Sequence, residues 1–303
     1  MKNKIVVVGC GNVGMAYIYA LMNQSLPISE IVLIDTDERR IAGEVMDLSH
    51  GLAFSPNTIE FKVGSYEDCR DAAIVCITAG VSQNLGSRMD ALDQNTNLFK
   101  RIVESVKNSG FTGIYLVASN PLDVMSYLTY KYGEVDPNRV IGSGTCLDTA
   151  RLHYLIAREL DVNPKNIEAY VLGEHGDTQF VPWHSATFAL QKMDMFLSEE
   201  KQIEIEKRVR EAGYEIVKRK GATYYGIGMV LSRITKAILL DEEYILPVSC
   251  YNKEHDVFFS KPAVIGKDGI KAKIYMELTI EEQAKLDASI AFIKEATKKT
   301  MGE

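Results

Sequence analysis

A histidine, an aspartate and an arginine in the second half of the chain could transfer a proton beside an anion. His175 lies in the segment GEHGD, directly after an apolar run at 167–172, which suits an exposed and well-oriented imidazole. Asp148 and Arg151 are three positions apart on a predicted helix and therefore project from one face. A carboxylate can fix the tautomer of an imidazole and raise its pKa, while a guanidinium binds a carboxylate through two parallel hydrogen bonds. The three groups suit the reduction of a small 2-oxo acid.

Each of these features also has a simpler explanation. A single loop histidine usually has no chemical role, and an aspartate and an arginine at this spacing usually form a solvent-exposed ion pair. The spacing of Asp148 and Arg151 alone favours the surface ion pair. The catalytic interpretation depends on the motifs elsewhere in the chain.

A glycine-rich motif near the N-terminus predicts a dinucleotide site. The segment GCGNVG follows the first apolar run and opens a predicted helix, so main-chain N–H groups could approach a pyrophosphate there. The second predicted strand ends in Asp35, whose carboxylate can bind both ribose hydroxyls and would repel a 2′-phosphate. The predicted cofactor is therefore NAD, although a glycine turn could serve strand–helix packing alone. The predicted cofactor contacts in these two segments are Gly9, Gly11, Asn12, Val13, Gly14 and Asp35.

Alternating strands and helices must position these motifs. Ligands of open α/β sheets bind at the carboxyl ends of the strands, so further cofactor contacts are expected where the fourth and fifth strands end. These residues are Thr78, Ala79, Gly80, Val117, Ser119 and Asn120. Short β-branched runs occur at 5–8, 31–34, 59–63, 73–78, 114–118 and 140–141, and helix-length amphipathic segments at 13–22, 39–48 and 89–108. This alternation predicts a Rossmann fold, a doubly wound parallel sheet with right-handed crossovers.

The pattern changes beyond about residue 143, where long helices accompany hairpin-like strands. The helices are predicted at 147–160, 199–218 and 225–239, and the strands at 245–251, 257–259, 263–265 and 270–275. The α/β chain is therefore predicted to have an N-terminal NAD-binding Rossmann domain at 1–143 and an α+β substrate-binding domain at 144–303. Two cores are expected for 303 residues.

The composition excludes several classes of partner. A net charge of −7 without a compensating basic run is unfavourable for binding nucleic acid or an anionic membrane. No apolar run suits a signal peptide or a membrane span, so we expect a cytoplasmic protein. The five cysteines lack CxxC spacing and are expected to be buried and reduced, and the remaining histidines lack metal-ligand spacing. No metal is predicted.

The chain resembles the L-lactate and malate dehydrogenase family over nearly its whole length. Eight segments occur in the family's order: GCGNVG, IDTD, DLSH, TAG, SNPLDV, GSGTCLDTAR, GEHGDTQ and GATYYGIG. The resemblance implies that His175 donates and accepts the proton, that Asp148 orients it, and that Arg151 anchors the substrate carboxylate. It also implies that Asn120 orients the substrate carbonyl and that Thr223 lines the pocket. The implied reaction interconverts pyruvate and L-lactate, as in the fermentation that follows glycolysis.

Residues 79–88 resemble the loop that closes over the substrate in this family. On this alignment Arg88 polarises the substrate carbonyl, and Gln83 stands where malate enzymes carry an arginine, which favours pyruvate and similar monocarboxylates. The stretch between Gln83 and Arg88 is one residue shorter than in typical lactate enzymes. Branched 2-oxo acids such as 2-oxoisocaproate therefore remain alternatives, as does malate dehydrogenase. A non-catalytic NAD(H)-binding sensor is the alternative from another class.

The resemblance also concerns assembly and regulation. It implies a homotetramer or dimer, with helices at 39–48 and 213–240 as candidate contacts. Many bacterial members bind fructose 1,6-bisphosphate through an arginine and a histidine, and the matching positions here are His153 and Glu168. Because an acid facing a bisphosphate is unfavourable, we expect weak or absent activation. His153 could equally be packed at an interface.

Overall fold

The structure, a computed structural model, describes residues 3–80 and 88–302, and the side chains of residues 88–94 lie outside this description. In the first half, the strands are β1 (Asn3–Val8), β2 (Ile28–Ile34), β3 (Glu60–Val63), β4 (Ile74–Ile77), β5 (Ile114–Val117) and β6 (Val140–Gly142). The helices among them are α1 (Asn12–Met22), α2 (Glu38–Gly51), α3 (Arg88–Asn108) and α4 (Leu122–Gly133). Six parallel strands follow the order β6-β5-β4-β1-β2-β3, which is the doubly wound order of a Rossmann fold.

The apolar runs form the strands in the centre of this sheet. β4 and β5 are buried along their whole length, and β1 is buried from Ile5 to Val8. Helices cover both faces, so the side chains of each strand are buried on either side. This explains why these strands are continuously apolar, and the prediction of a parallel α/β sheet is confirmed.

The second half extends the same sheet. Its helices are α5 (Cys146–Leu160), α6 (Glu199–Lys220), α7 (Tyr225–Leu239) and α8 (Ile280–Met301), and three short strands, β7 (Ile167–Glu168), β8 (Thr187–Phe188) and β9 (Gln191–Lys192), form a separate sheet. The antiparallel strands β10 (Tyr244–Asn252), β11 (Val257–Gly266) and β12 (Gly269–Lys273) join the Rossmann sheet through the pair Ser249 and Gly142. A Cβ on Gly142 would lie 2.8 Å from the Ser249 Cβ, so the glycine permits this approach. The result is one nine-stranded sheet.

The cores of the two halves are therefore continuous, in contrast to the two separate cores expected from the length. Residues of α7 and β10 share a hydrophobic cluster with α1 and β1. Helices α1 and α7 approach closely, because a Cβ on Gly228 would lie 2.8 Å from the Ala16 main chain. A smaller cluster between α5, α6 and β7 belongs to the second half alone.

Local structure differs from the predicted strands at two places. The run at 167–172 forms a continuous strand only at Ile167–Glu168 and pairs again at Leu172, which bridges Phe180. Between them the Val171 N–H donates to the Thr149 hydroxyl at 3.0 Å. The two strands predicted at 257–259 and 263–265 form the single strand β11. The five cysteines are buried and unpaired, as expected. Among the described residues, no helix is both long enough and apolar enough to cross a membrane.

Candidate active site

His175, Asp148 and Arg151 form one hydrogen-bonded chain. The His175 Nδ1 lies 2.8 Å from the Asp148 Oδ2, and the Arg151 Nη1 donates to the Asp148 Oδ1 at 2.9 Å. Each oxygen of Asp148 thus contacts a different group, one of which is a cation and the other a potential cation. Because an ionised carboxylate can only accept, Nδ1 carries a hydrogen and Nε2 is the nitrogen that gains and loses a proton.

The start of α5 positions this chain of side chains. Asp148 lies in the first turn of the helix and Arg151 one turn later, on the same face. The Asp148 side chain is only 3% exposed, whereas those of Arg151 and His175 are 16% and 27% exposed. A solvent-exposed ion pair between Asp148 and Arg151 is therefore wrong for this structure. The exposed part of the site consists of the guanidinium and the imidazole.

The electrostatics of the site favour a protonated imidazole. Burial lowers the pKa of His175, but the negative charge of Asp148 and its hydrogen bond outweigh burial, so the pKa is raised above its ordinary value. Burial also acts to raise the pKa of Asp148, yet the charges of His175 and Arg151 lower it overall. Asp148 therefore stays ionised while His175 exchanges a proton.

Three residues that the sequence analysis did not single out support the His175 segment. The His175 main-chain N–H donates to the Asp123 Oδ2 at 2.8 Å, and the Ser249 hydroxyl donates to the Asp123 Oδ1 at 2.5 Å. The Glu174 N–H donates to the Ser289 hydroxyl on α8 at 2.7 Å. Asp123 had a signal, since it is an acid in the SNPLDV segment at the start of a largely apolar helix. The two serines had none.

The glycine motif is packed against the end of β4. Gly9 has φ +91°, and a Cβ on it would lie 2.5 Å from the Ala79 Cα. A Cβ on Gly14 would lie 2.9 Å from the Thr78 Oγ1, and the Thr78 hydroxyl donates to the Gly9 carbonyl. Gly11 differs, because a Cβ there would have no described heavy atom within 4 Å. The main chain at Gly11 is therefore open to a ligand at the N-terminus of α1.

Asp35 is held beside this motif. Its Oδ2 accepts from the Cys10 N–H at 2.7 Å, and its Oδ1 accepts from the Asp37 N–H at 3.1 Å. Arg40 links the same two segments, because it donates to the Asp35 Oδ2 at 3.2 Å and to the Cys10 carbonyl at 2.8 Å. The carboxylate at the end of β2 is thus fixed next to the glycine motif, as a ribose-binding group requires.

Comparison with known proteins identifies the family. The family models "lactate/malate dehydrogenase, NAD binding domain" and "lactate/malate dehydrogenase, alpha/beta C-terminal domain" match residues 3–142 and 145–303. The chain belongs to the lactate/malate dehydrogenase family. The resemblance inferred from the motifs is therefore confirmed.

Individual relatives in this family match over the full chain. L-lactate dehydrogenase 2 of Bacillus anthracis is 45% identical, with 97% of this chain and 96% of the relative covered. L-lactate dehydrogenase of Halalkalibacterium halodurans is also 45% identical over the same shares. A solved lactate dehydrogenase from a Medee basin deep-sea metagenome library has a TM-score of 0.96 at 44% identity, with 100% of both chains covered. The ligand-bound minor L-lactate dehydrogenase of Enterococcus mundtii has a TM-score of 0.96 at 38% identity, with 98% of each chain covered.

The cofactor of this dehydrogenase is NAD, and the described residues fit it. The open main chain at Gly11 lies at a helix N-terminus, which suits a pyrophosphate. The Asp35 carboxylate suits a ribose diol. Asn12 is exposed in the first turn of α1, whereas Val13 packs against the core. Among the described residues, no group of three or more His, Cys, Asp or Glu side chains is arranged to hold a metal.

Several predicted cofactor residues of the dehydrogenase lie at or near the carboxyl ends of β4 and β5. The Ser119 hydroxyl donates to the Ala79 carbonyl, which ties the end of β5 to the end of β4. Gly80 follows there, and a Cβ on it would lie 3.7 Å from the Asn95 Oδ1. Val117 is completely buried in the core. The Asn120 carbonyl accepts from the Asn95 side chain at 3.4 Å.

The other predicted residues of the dehydrogenase are Thr223, Gln83, Arg88, His153 and Glu168. Thr223 is partly buried in the turn between α6 and α7. Gln83 lies outside the described residues, as does the side chain of Arg88, whose main chain begins α3. The His153 ring is partly buried, and its Nε2 lies 2.7 Å from the Ala169 carbonyl, while Glu168 is exposed.

Proposed function

We propose that the chain is an NAD-dependent L-lactate dehydrogenase that catalyses pyruvate + NADH + H⁺ ⇌ L-lactate + NAD⁺. The observation that carries this proposal is the buried hydrogen-bonded chain from His175 through Asp148 to Arg151. Its support from relatives is the 45% identity to L-lactate dehydrogenases over nearly the whole chain. Proton transfer beside a bound carboxylate is what pyruvate reduction requires.

The residues act on the substrate in distinct ways. Arg151 uses one nitrogen on Asp148 and keeps its other donors for the substrate carboxylate. His175 gives the proton on Nε2 to the carbonyl oxygen, and the Asp148 charge stabilises the imidazolium before transfer. Bound NADH supplies the hydride. Asn120 would orient the carbonyl and Thr223 would line the pocket, as the family resemblance implies.

Substrate choice is proposed to depend on Gln83, with Arg88 polarising the carbonyl from the same loop. A neutral residue at position 83 cannot pair the second carboxylate of oxaloacetate, which favours pyruvate. Oxaloacetate and 2-oxoisocaproate are the competing substrates. The second candidate function is therefore a malate or a branched 2-hydroxy acid dehydrogenase.

A single assay tests these candidates. The purified protein is mixed with NADH and, separately, with pyruvate, oxaloacetate or 2-oxoisocaproate, and the loss of NADH absorbance is followed. We expect the highest kcat/KM for pyruvate. A higher value for either competitor would replace the proposed substrate, and no oxidation of NADH with any of the three would favour the non-catalytic sensor.

We also propose how the chain is organised and assembled. Residues 1–143 would bind NAD, and residues 144–303 would supply His175 and Arg151. A homotetramer or dimer is supported by apolar side chains exposed on α1, α2 and α7, and by an apolar groove of about 580 Å³ between α1 and α7. The exposed residues are Tyr19, Met46, Tyr225 and Met229. The enzyme would act in the cytoplasm, in the fermentation that follows glycolysis, and light scattering would measure its stoichiometry.

A further inference from the structure

A second buried carboxylate contacts the main chain of His175. Asp123 lies in the first turn of α4 and is only 3% exposed. Its Oδ2 accepts from the His175 N–H at 2.8 Å, and its Oδ1 accepts from the Ser249 hydroxyl at 2.5 Å. Among the side chains of residues 3–80 and 95–302, no lysine or arginine forms an ion pair with it. A buried carboxylate without a cationic partner is costly, and the proposed proton transfer gives it no direct role.

A neutral residue could make the same contacts. An asparagine side chain has an oxygen to accept from the His175 N–H and an amide group to face the Ser249 hydroxyl. Hydrogen bonding alone therefore does not account for an aspartate at this position. What an aspartate adds is a negative charge near the imidazole, and its position at the N-terminus of α4 helps to stabilise that charge.

We propose that Asp123 is a positioning residue for His175, whose carboxylate holds the His175 main chain and whose charge favours the protonated imidazole. The proposal rests on the proposed role of His175 as the proton donor. Asp123 acts through the histidine and does not touch the substrate. It would work in parallel with Asp148, which contacts the ring itself.

The charges around this pair are consistent with the proposal. Burial raises the pKa of Asp123 to about 6, so the carboxyl is ionised in the range where His175, with a pKa above its ordinary value, exchanges its proton. The other titratable groups that face the pair are Asp148, Arg151, Glu174 and Cys250. The charges of Asp148 and Asp123 raise the pKa of His175 and that of Arg151 lowers it, while Glu174 acts to raise the pKa of Asp123. Burial raises the pKa of the Cys250 thiol to about 11, so it is neutral.

NMR titration of the His175 imidazole in the full-length protein tests the charge directly. Histidine labelled with ¹³C and ¹⁵N reports each ring, and the signal that disappears in His175→Asn is that of His175. We expect Asp123→Asn to lower the His175 midpoint by roughly one pH unit. Ser249→Ala is the matched control, because it removes one hydrogen bond of Asp123 but leaves a carboxyl that can still ionise. The lost hydrogen bond raises the Asp123 pKa further, so the His175 midpoint should fall by less than in Asp123→Asn.

Native protein gives a second measurement that needs no folded variant. The His175 signals should show a smaller second change near pH 6, where Asp123 takes up its own proton. An unchanged His175 midpoint in Asp123→Asn, or the absence of the second change in the native protein, would overturn the proposal.

Kinetics then separate this proposal from the proposed function. The kcat/KM for pyruvate reduction in Asp123→Asn should be roughly tenfold below native at about pH 8 and close to native at about pH 6, because only the protonated fraction of His175 differs. A loss of equal size at every pH would contradict the charge effect and indicate a purely structural role. Should the native protein reduce no oxo acid while the His175 midpoint still shifts, the dehydrogenase assignment fails and the effect of Asp123 on His175 stands.

Discussion

Replacing Asp123 with asparagine should stabilise the fold at neutral pH. Burial raises the pKa of this carboxyl from 3.8 to about 6. Between these two values the folded chain binds more protons than the unfolded chain, so the free energy of unfolding falls as the pH rises through this window and stays lower above it. An asparagine has no such proton equilibrium and avoids the loss. The charge beside His175 is therefore kept at a cost in stability.

The size of the effect follows from the pKa. A rise of about two pH units corresponds to about 3 kcal/mol of stability lost at about pH 8. In the variant the asparagine amide would donate to the Ser249 hydroxyl, and the replacement of a charge-assisted hydrogen bond by a neutral one costs about 1 kcal/mol. We therefore expect Asp123→Asn to be more stable than the native protein by about 2 kcal/mol at about pH 8. The advantage should disappear as the pH falls toward 4, because the folded carboxyl is then protonated and the unfolded carboxyl approaches its ordinary pKa of 3.8.

Asp148→Asn is a control that should change the free energy of unfolding in the opposite direction. The pKa of Asp148 is lowered, so its ionisation stabilises the fold above the ordinary pKa, and this contribution disappears as the pH falls through the lowered value. The asparagine variant at this position should be less stable than the native protein at neutral pH. Two buried carboxylates that both contact His175 should thus respond to the same substitution with opposite signs.

Urea-induced unfolding measures the free energy of unfolding of the native protein and of both asparagine variants under matched conditions. The transitions are followed by circular dichroism at several pH values between about 5 and 8. Differences between each variant and the native protein remove the contribution of every titrating group whose pKa the substitution leaves unchanged, and the NMR midpoint of His175 supplies the correction for that residue. A destabilised Asp123→Asn at about pH 8, with a gap that does not change with pH, would show that this carboxylate carries no burial cost and would refute the reasoning.

The remaining predictions concern the reaction. His175→Asn should reduce turnover at least about a hundredfold while NADH binding, followed by fluorescence, stays near native, and unchanged turnover would exclude the proposed proton donor. Gln83→Arg should move the ratio of kcat/KM values toward oxaloacetate, and no gain on oxaloacetate would count against the role given to position 83. Fructose 1,6-bisphosphate should not shift the pyruvate saturation curve, because Glu168 is an acid where the family places a phosphate-binding residue, and a clear leftward shift would contradict this.

Local sequence patterns predicted most of the Rossmann sheet. Its central strands, such as β4 and β5, are short apolar runs because they are buried on both faces, and that requirement can be read from the runs themselves. The attachment of β10 to β6 could not be predicted this way, since it depends on the contact between Gly142 and Ser249, which are far apart in the chain. The apolar run at 167–172 is interrupted as a strand after Glu168, because the Val171 N–H donates to the Thr149 hydroxyl, and it pairs again at Leu172.

For the candidate site, the sequence predicted the main side chains but not their burial or their supporting contacts. Motifs identified His175, Asp148 and Arg151, and the structure brings the three side chains together. The sequence could not show that Asp148 is buried, which is what distinguishes the site from a surface ion pair. Ser289 escaped prediction because it binds the main chain of the His175 segment, and a main-chain contact imposes no recognisable motif on the partner. Asp123 makes the same kind of contact, and its one signal was an acid at the start of a largely apolar helix.

The contact of Ser289 with the His175 segment has a consequence for synthesis of the protein. Ser289 lies on α8 and accepts from the Glu174 N–H, and a Cβ on Gly173 would lie 2.6 Å from its hydroxyl oxygen. The glycine motif and Asp35 are translated long before this helix, and their contacts lie within the first half of the chain. A ribosome must therefore add α8 before the segment at 173–175 has all of its contacts, whereas the contacts between the glycine motif and Asp35 need only the first half of the chain.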